Sequence, residues 1–193
     1  MLVANRMAFK EWAVITAALG NGRQSLILRK GGIHEGRDGF RVEHHEFWLF
    51  PTNFHQSAND LSEEYRELWE SVRRNPPPAE TIPLRSYAIL DEVIEVTDAV
   101  QLPGLAGLHG WSEQVVHDRF HYRQPGLLAL LVRVYELPVE LRIPNSPHFA
   151  GCRSWVELPT DLPTAALSPV LPQAEHQRRM ELIRKRLISA RQI

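Results

Sequence analysis

Residues 127–137, with the sequence LLALLVRVYEL, restrict the possible folds of this chain more than any other segment. Apolar side chains occupy both odd and even positions, so a strand here would be apolar on both of its faces. An edge strand that exposed such a surface would be prone to aggregation. We therefore predict an interior strand of a sheet, with Leu128, Leu130 and Val132 buried. The run is also far shorter than the roughly 20 residues of a membrane-spanning helix.

Composition sets the class of protein and excludes several functions. The 193 residues are 44% hydrophobic, enough for one largish domain or two closely packed small ones. A net charge of -1 excludes strong overall attraction to nucleic acid or anionic lipid, so such binding must depend on a local basic patch. The single cysteine excludes an internal disulfide, and the first residues lack a signal peptide's apolar region. We expect a cytoplasmic protein without membrane association.

Local signals divide the first part of the chain into short elements. Apolar spacing predicts a helix over residues 9–19, ended by Gly20. Alternating patterns predict one strand over residues 25–30 and a second over residues 41–50. The glycine-rich stretch between them predicts that the two strands form a hairpin.

Prolines and polar residues mark the next boundaries. Pro51 is predicted to end the second strand, because it cannot donate to a ladder. Asp60 followed by Glu63 resembles a capping box that opens a helix toward Arg73. The three prolines at 76–78 cannot propagate a helix, so we interpret them as a boundary between two subregions.

The pattern of the second half of the chain predicts long apolar strands with one intervening helix. We predict a mostly buried strand over residues 84–96 and a helix from Ser112 to His121. After the strand at 127–137, a short strand is predicted at 155–158 and a C-terminal helix at about 174–190.

These elements predict an α+β protein with a mixed or mainly antiparallel sheet flanked by helices, because strands and helices do not alternate regularly. The last of these helices is predicted to be basic. We expect a helix, hairpin and helix region (1–75), a sheet region packed on it (79–158), a proline-rich linker (159–173) and the basic helix (174–193).

Arg29 and Lys30 precede two glycines whose backbone amides could approach a phosphate closely, as in an anion nest. The stretch lacks the spacing of a Walker A motif, so a nucleoside triphosphatase is not indicated. The alternative is a plain hairpin connection with solvated charges.

Histidines and acids crowd the same region and suggest a site for a divalent metal. Imidazole and carboxylate together suit zinc, manganese or iron. In a catalytic version Glu35 or Glu46 would activate water while Lys30 stabilised phosphate charge. Structural or substrate-contacting roles are the alternative, since the spacing matches no strong ligand motif. The candidate ligands are His34, His44, His45 and His55.

Two further groups carry possible chemistry. His117 and His121 are four residues apart on a predicted helix, as two metal ligands would be, but the glutamate that follows the first histidine in zinc proteases is missing, so we interpret them as a surface or packing pair. Cys152 could be a nucleophile, although a buried cysteine between Phe149 and Trp155 is the simpler interpretation.

Basic residues interleave with aromatic ones in two segments that could contact nucleic acid. Such combinations can stack on bases while they contact phosphates, although loop packing and a solvated helix would produce the same pattern. The candidate contacts, besides Arg29 and Lys30, are Arg119, Tyr122, Arg123, Arg178, Arg179 and Arg184.

The strings RKGGIHE, FRVEHHEFWLFPTNFHQ, YRQPGLLALLVRVYELP and FAGCRSWVEL together resemble a bacterial family known as domain of unknown function 1802. The resemblance covers about residues 9–158 and implies no reaction, because the family is uncharacterised. An association of some relatives with restriction-endonuclease domains implies a part in restriction and modification or phage defence, with a restriction-system protein as partner.

Three functions follow as hypotheses. The leading one is a nucleic-acid-associated accessory module that binds DNA or RNA. The alternatives are a metal-dependent phosphodiesterase and a protein-interaction module without catalysis. Convergence of the histidine and glutamate candidates in space would favour the enzyme, whereas a basic surface without it would favour binding.

Overall fold

The computed structural model describes residues 1–30, 41–53 and 57–189, with side chains of the last helix through residue 187. The seven described strands form one sheet, in the order β2-β5-β4-β3-β1-β6, with β7 paired to β5. The strands are β1 (Ala4–Trp12), β2 (Leu26–Arg29), β3 (Glu46–Thr52), β4 (Thr81–Val96), β5 (Leu127–Pro144), β6 (Trp155–Pro163) and β7 (Ser168–Pro169). The α-helices are α1 (Ala13–Gly20), α2 (Arg66–Arg74), α3 (Glu113–His121) and α4 (Gln173–Ser189).

Among the described strands only β1 and β3 pair in parallel, so the predicted α+β class with a mainly antiparallel sheet is confirmed. In the described part of the chain, no helix combines the length and apolar character needed to cross a membrane.

The interior position predicted for residues 127–137 is confirmed, since β5 lies between β2 and β4. Leu130 and Val132 are fully buried, whereas Leu128 is only partly buried. The strand continues past Pro138, where it was expected to stop. The ladder between β4 and β5 is irregular at this point, so the missing amide of the proline costs no regular hydrogen bond.

The predicted hairpin is wrong. β2 pairs with β5, and β3 pairs with β1 and β4, so the two strands are not neighbours. β2 lies at one end of the strand order, where it pairs with β5, and all three of its leucine and isoleucine side chains are buried in the larger core cluster. Residues 41–45 precede β3 without being part of it.

The first predicted helix is half right. It ends at Gly20 as expected, but Phe9 to Trp12 belong to β1, and the helix begins at Ala13. Alternation explains the difference, because Phe9 pairs with Leu49 and Glu11 with Pro51 in the parallel ladder. Pro51 therefore lies within β3 rather than after it.

Two further boundaries differ from the sequence prediction. The helix expected to open at Asp60 begins at Arg66, after two short 3₁₀ turns, and Ser57 caps the first of them. The expected linker at 159–173 contains the end of β6 and all of β7.

The core lies on both faces of the curved sheet. One cluster joins Phe9, Phe47 and Leu130 to α1 and to the buried side of α4, and the other surrounds Trp48 and Tyr87. The sheet curves enough that Arg29, at the end of β2, reaches β1, and this approach positions the site.

Candidate functional site

Lys30 joins the end of β2 to the C-terminal end of α3. Its Nζ donates hydrogen bonds to the carbonyl oxygens of Phe120 (2.9 Å), Gly126 (2.8 Å) and Gln124. Burial lowers the pKa of this ammonium group. A cation at the end of a helix satisfies carbonyls that have no partner within the helix. Lys30 thus brings together two basic segments that are far apart in sequence, and its own donors are occupied.

Arg29 is held by β1. Its NH2 lies 3.2 Å from Oε2 of Glu11 and donates to the carbonyl oxygen of Lys10, while its guanidinium carbon lies 4.4 Å from the centroid of the Phe9 ring. Only 1% of the Glu11 side chain is exposed, so this is a buried ion pair. The charge of Arg29 is therefore compensated inside the protein.

Arg119 extends from α3 across the indole of Trp111, with its guanidinium carbon 3.7 Å from the ring centroid. Burial lowers the pKa of Arg119 to about 10, and Arg29 adds to the effect while Glu11 and Asp60 oppose it. Among the described residues no hydrogen-bond acceptor is recorded for this guanidinium. The group is stacked and half-buried, and its N–H donors remain available to a ligand.

Tyr122 and Arg123 follow directly after α3 and are both exposed. The guanidinium carbon of Arg123 lies 5.2 Å from the centroid of the Tyr122 ring. Arg123 has a φ of 61°, in the left-handed region that non-glycine residues adopt rarely. This conformation turns the chain after the helix and leaves both side chains in solvent.

The basic candidates on α4 divide into engaged and exposed residues. Arg179 donates to the carbonyl oxygen of Gly22, and Arg184 Nε lies 2.6 Å from Glu92 Oε2. Arg178 is exposed to solvent. Two of the three arginines thus hold the helix against the body of the protein.

The metal candidates that the structure describes make other contacts. The ring of His44 packs edge-on against Trp155 at 5.1 Å between centroids, and His45 is exposed. Glu46 accepts hydrogen bonds from the Tyr87 hydroxyl (2.9 Å) and the Leu2 amide (2.8 Å). Burial alone would raise the pKa of Glu46, but these hydrogen bonds outweigh it and lower the pKa.

The remaining metal and catalytic candidates, His34, Glu35 and His55, lie outside the described residues. Within residues 1–30, 41–53 and 57–189, no group of three or more histidine, cysteine, aspartate or glutamate residues could hold a metal ion. Lys30 and Glu46 share no hairpin and contact different elements. The described part of the chain therefore contains no ligand set for a metal-dependent hydrolase.

The two other groups with possible chemistry lie at the surface. The rings of His117 and His121 are 4.2 Å apart between centroids, and Nδ1 of His121 lies 3.0 Å from the carbonyl oxygen of His117. Both are exposed, as a surface pair would be. Cys152 is also exposed, so the predicted burial of this cysteine is wrong.

A cleft of about 510 Å³ on the other face of β1 was missed by the sequence analysis. Successive strand residues point to opposite faces. Glu11 therefore faces Arg29 and Arg119, with which it forms a charge cluster, and Lys10 faces the cleft. Its walls come from α1, the end of β3, the segment after α2 and the adjoining ends of β4 and β5. Its lining includes Lys10, Ala13, Thr16, Ala17, Phe50, Asn75, Pro78, Ile82, Arg85, Ser86, Glu136, Glu140 and Phe149.

Lys10 is the most buried cation in this cleft. Its Nζ donates to the carbonyl oxygens of Phe149 (2.5 Å) and Gly151 (2.8 Å), and 8% of the residue is exposed. Burial lowers the pKa of Lys10, and the charge of Arg153 lowers it further. One sequence signal existed, because Lys10 and Glu11 are charged residues between Phe9 and Trp12, in a stretch that is otherwise apolar.

Fold and surface define an α+β protein with a curved, mainly antiparallel sheet, a basic and aromatic edge beside α3, and a separate cleft. The chain belongs to the family described as domain of unknown function (DUF1802), which matches residues 8–182. None of the curated proteins compared with the chain matches it significantly.

The comparison with solved structures finds distant matches. Crystal structures of ASCH from Zymomonas mobilis and of two mutants of that protein are 13%, 14% and 16% identical to this chain, with TM-scores of 0.41, 0.42 and 0.40. They cover 91%, 91% and 94% of this chain and 92%, 96% and 99% of their own. Similarity at this level is too low to transfer a function.

Proposed function

We propose that the protein associates with nucleic acid through the β2–α3 edge, the surface formed by Lys30, Arg119, Tyr122 and Arg123. The observation that carries the proposal is the guanidinium of Arg119, which is stacked on Trp111 and has no recorded acceptor among the described residues. Stacking on the indole fixes the plane of this guanidinium, and a phosphate oxygen would accept hydrogen bonds from several of its N–H groups at once.

Charge at this edge supports an anionic ligand. Glu11 compensates Arg29, and carbonyl groups at and after the end of α3 occupy Lys30, so among the described residues of this edge Arg119 and Arg123 are the guanidinium groups left to contact phosphate. Arginine suits this role because its planar group can stack on an aromatic ring and still donate in the plane.

Tyr122 supports single-stranded rather than duplex nucleic acid. Its exposed ring lies beside Arg123, and a base can stack on such a ring only when it is free of its own helical stack. Two phosphate contacts on a single strand correspond to a slope of about -1.4 in a plot of log affinity against log salt concentration. We therefore expect weak, salt-dependent association, consistent with a chain whose net charge is -1.

The C-terminal helix takes a smaller part in this proposal than the sequence suggested. Arg179 and Arg184 hold α4 against the body, which leaves Arg178 as its exposed candidate. The role in restriction and modification or phage defence, with a restriction-system partner, is the context that the family resemblance implies. A metal-dependent phosphodiesterase would need His34, Glu35 and His55 as metal ligands or catalytic groups, and these residues lie outside the described part of the chain.

Fluorescence anisotropy with labelled 12-nucleotide single-stranded DNA and RNA, at two salt concentrations, tests the proposal. We expect Arg123→Gln to weaken binding and to flatten the salt slope by about 0.7. Tyr122→Ala should weaken binding by about 1–3 kcal/mol with an unchanged slope, because it removes stacking and no charge. Arg74→Gln, an exposed arginine on α2, is the matched control and should bind as the unmodified protein does.

A combined Arg178→Ala/Arg179→Ala/Arg184→Ala variant measures the contribution of α4 in the same assay. Equal affinity and slope for the Arg123 and Tyr122 variants and the unmodified protein would refute the β2–α3 edge. If the α4 variant alone loses affinity, the contact surface is the helix. Failure of every nucleic acid to bind would favour a protein partner.

A further inference from the structure

The cleft beside Lys10, which we call the Lys10 cleft, lies on the opposite face of β1 from the β2–α3 edge. Its volume of about 510 Å³ is within the range of small-molecule sites, which is roughly 300–1,000 Å³. The small side chains of Ala13 and Ala17 on α1 face it, across from Phe50 and Phe149. The size and the apolar walls suit an organic ligand of modest size.

The acids that line the Lys10 cleft are already paired. Glu136 lies 3.3 Å from Nε of Arg85 and accepts a hydrogen bond from the Ser86 hydroxyl. Glu140 lies 3.0 Å from Nε of Arg142. These contacts account for both carboxylates and for the exposed Arg85, so the wall they form is close to neutral.

The charge of Lys10, by contrast, is not balanced by a carboxylate among the described residues. Its two recorded acceptors are neutral carbonyl oxygens, and among the described residues no carboxylate forms an ion pair with it. The charge of Arg153, which is also a cation, lowers the pKa of Lys10, and Cys152 opposes this effect. A buried ammonium group without a counter-ion is costly, and its third N–H is available to an anionic ligand.

A second polar group among the residues that line the Lys10 cleft lacks a hydrogen-bond partner. The hydroxyl oxygen of Thr16, one turn along α1 from Trp12, is buried and makes no recorded hydrogen bond. Buried hydroxyl groups are normally satisfied, so an orphan in a cleft wall indicates a ligand that would complete it. The residues that line the Lys10 cleft thus include an ammonium group with a free N–H and a hydroxyl group without a partner, together with the apolar side chains of Phe50, Phe149 and Ala17.

We propose that the Lys10 cleft binds a small organic monocarboxylate, whose charged group accepts hydrogen bonds from Lys10 and Thr16 and whose apolar body lies against Phe50, Phe149 and Ala17. A phosphate monoester suits the cleft less well, because the ammonium group of Lys10 can balance only one of the two charges of a dianion. This inference is independent of nucleic-acid binding, which involves the other face of β1.

Ligand-observed NMR titrations with hexanoate and phenylacetate test the proposal, with hexanamide and phenylacetamide as uncharged controls of the same shape. We expect each carboxylate to bind at least about tenfold more tightly than its amide. Lys10→Met should remove this preference, because it keeps the aliphatic stem and deletes the charge. Lys185→Met, at an exposed position on α4, is the matched control and should preserve it.

Two further variants keep the test decisive if Lys10→Met does not fold. Ala17→Phe should block carboxylates and amides alike by filling the cleft, and Thr16→Val should weaken only the carboxylates. The Tyr122→Ala variant should bind carboxylates as the unmodified protein does, whatever its affinity for nucleic acid. This control separates the Lys10 cleft from the β2–α3 edge. Equal binding of acids and amides, tighter binding of hexyl phosphate than of hexanoate, or no binding of either acid at millimolar concentration would overturn the assignment.

Discussion

His109 provides a test of the charge cluster through the pH dependence of stability. The residue is 5% exposed, and its Nδ1 accepts a hydrogen bond of 3.1 Å from the backbone amide of Trp111. Burial and, to a smaller extent, the nearby charge of Arg119 lower the pKa of His109 from 6.5 to about 4. The folded protein therefore holds a neutral imidazole, with the proton on Nε2.

The sign and size of the effect follow from linkage. Below pH 6.5 the unfolded chain binds a proton at His109 that the folded protein binds only near pH 4, so acid favours unfolding. Each pKa unit corresponds to about 1.4 kcal/mol, which gives a loss of about 2 kcal/mol at pH 5 and about 3 kcal/mol below pH 4. No stability should be lost through His109 above pH 7.

The perturbation that isolates this loss is His109→Asn, which places an amide oxygen near the position of Nδ1 and cannot titrate. Urea unfolding of both proteins at pH 7, 6 and 5 gives the difference in unfolding free energy at each pH, and other titrating groups cancel in the comparison. We expect the difference to shift by about 2 kcal/mol in favour of the variant between pH 7 and 5. A constant difference, or a His109 pKa near 6.5 by NMR, would refute the reasoning.

Three further predictions concern stability and are measured by urea unfolding at pH 7. Leu130→Ala, at a fully buried position in β5, should cost about 2–5 kcal/mol through lost burial and a residual cavity; a cost below 1 kcal/mol would contradict the interior position of the strand. Gly110→Ala should destabilise the fold strongly, since a Cβ there would lie 2.3 Å from a ring carbon of buried Tyr65, and a neutral effect would mean that this ring can move. Arg184→Met should cost less than about 1 kcal/mol despite its 2.6 Å contact with Glu92, because both side chains are more than a third exposed; a larger cost would show that the pair does more than hold α4 locally.

Elements with strong local signals could be predicted from the sequence. Ser112 caps α3 at its predicted start, Gly20 ends α1, and the apolar run of β5 required an interior strand. In each case the deciding interaction lies within a few residues or is simple burial. Such information is present in a single sequence.

Strand partners could not be predicted, because they depend on contacts distant in sequence. The glycine-rich stretch favoured a hairpin between β2 and β3, yet β2 pairs with β5, which lies far along the chain. Likewise, Trp12 and Ile15 fit a helical pattern, but the ladder with β3 extends β1 through Trp12. Tertiary contacts overrode the local preference in both cases.

The candidate site was also only partly predictable. Basic residues such as Arg29 and Arg119 were visible, but nothing local shows that Glu11 neutralises the first or that Trp111 supports the second. The Lys10 cleft is assembled from several elements that are distant in the chain, so no motif marks it. The sequence identified the ionisable groups, whereas the charge of each group is balanced, or left unbalanced, by contacts that only the folded structure shows.

The pairing of β1 with β6 determines the order in which the sheet can be completed during synthesis. Ala8 pairs with Val156, so β1 emerges from the ribosome long before one of its two neighbours exists. Contacts this distant in sequence slow folding, because the loop must close before the ladder forms. Until β6 is made, the free edge of β1 can pair with other nascent chains. We therefore expect chains truncated before residue 155 to aggregate during translation.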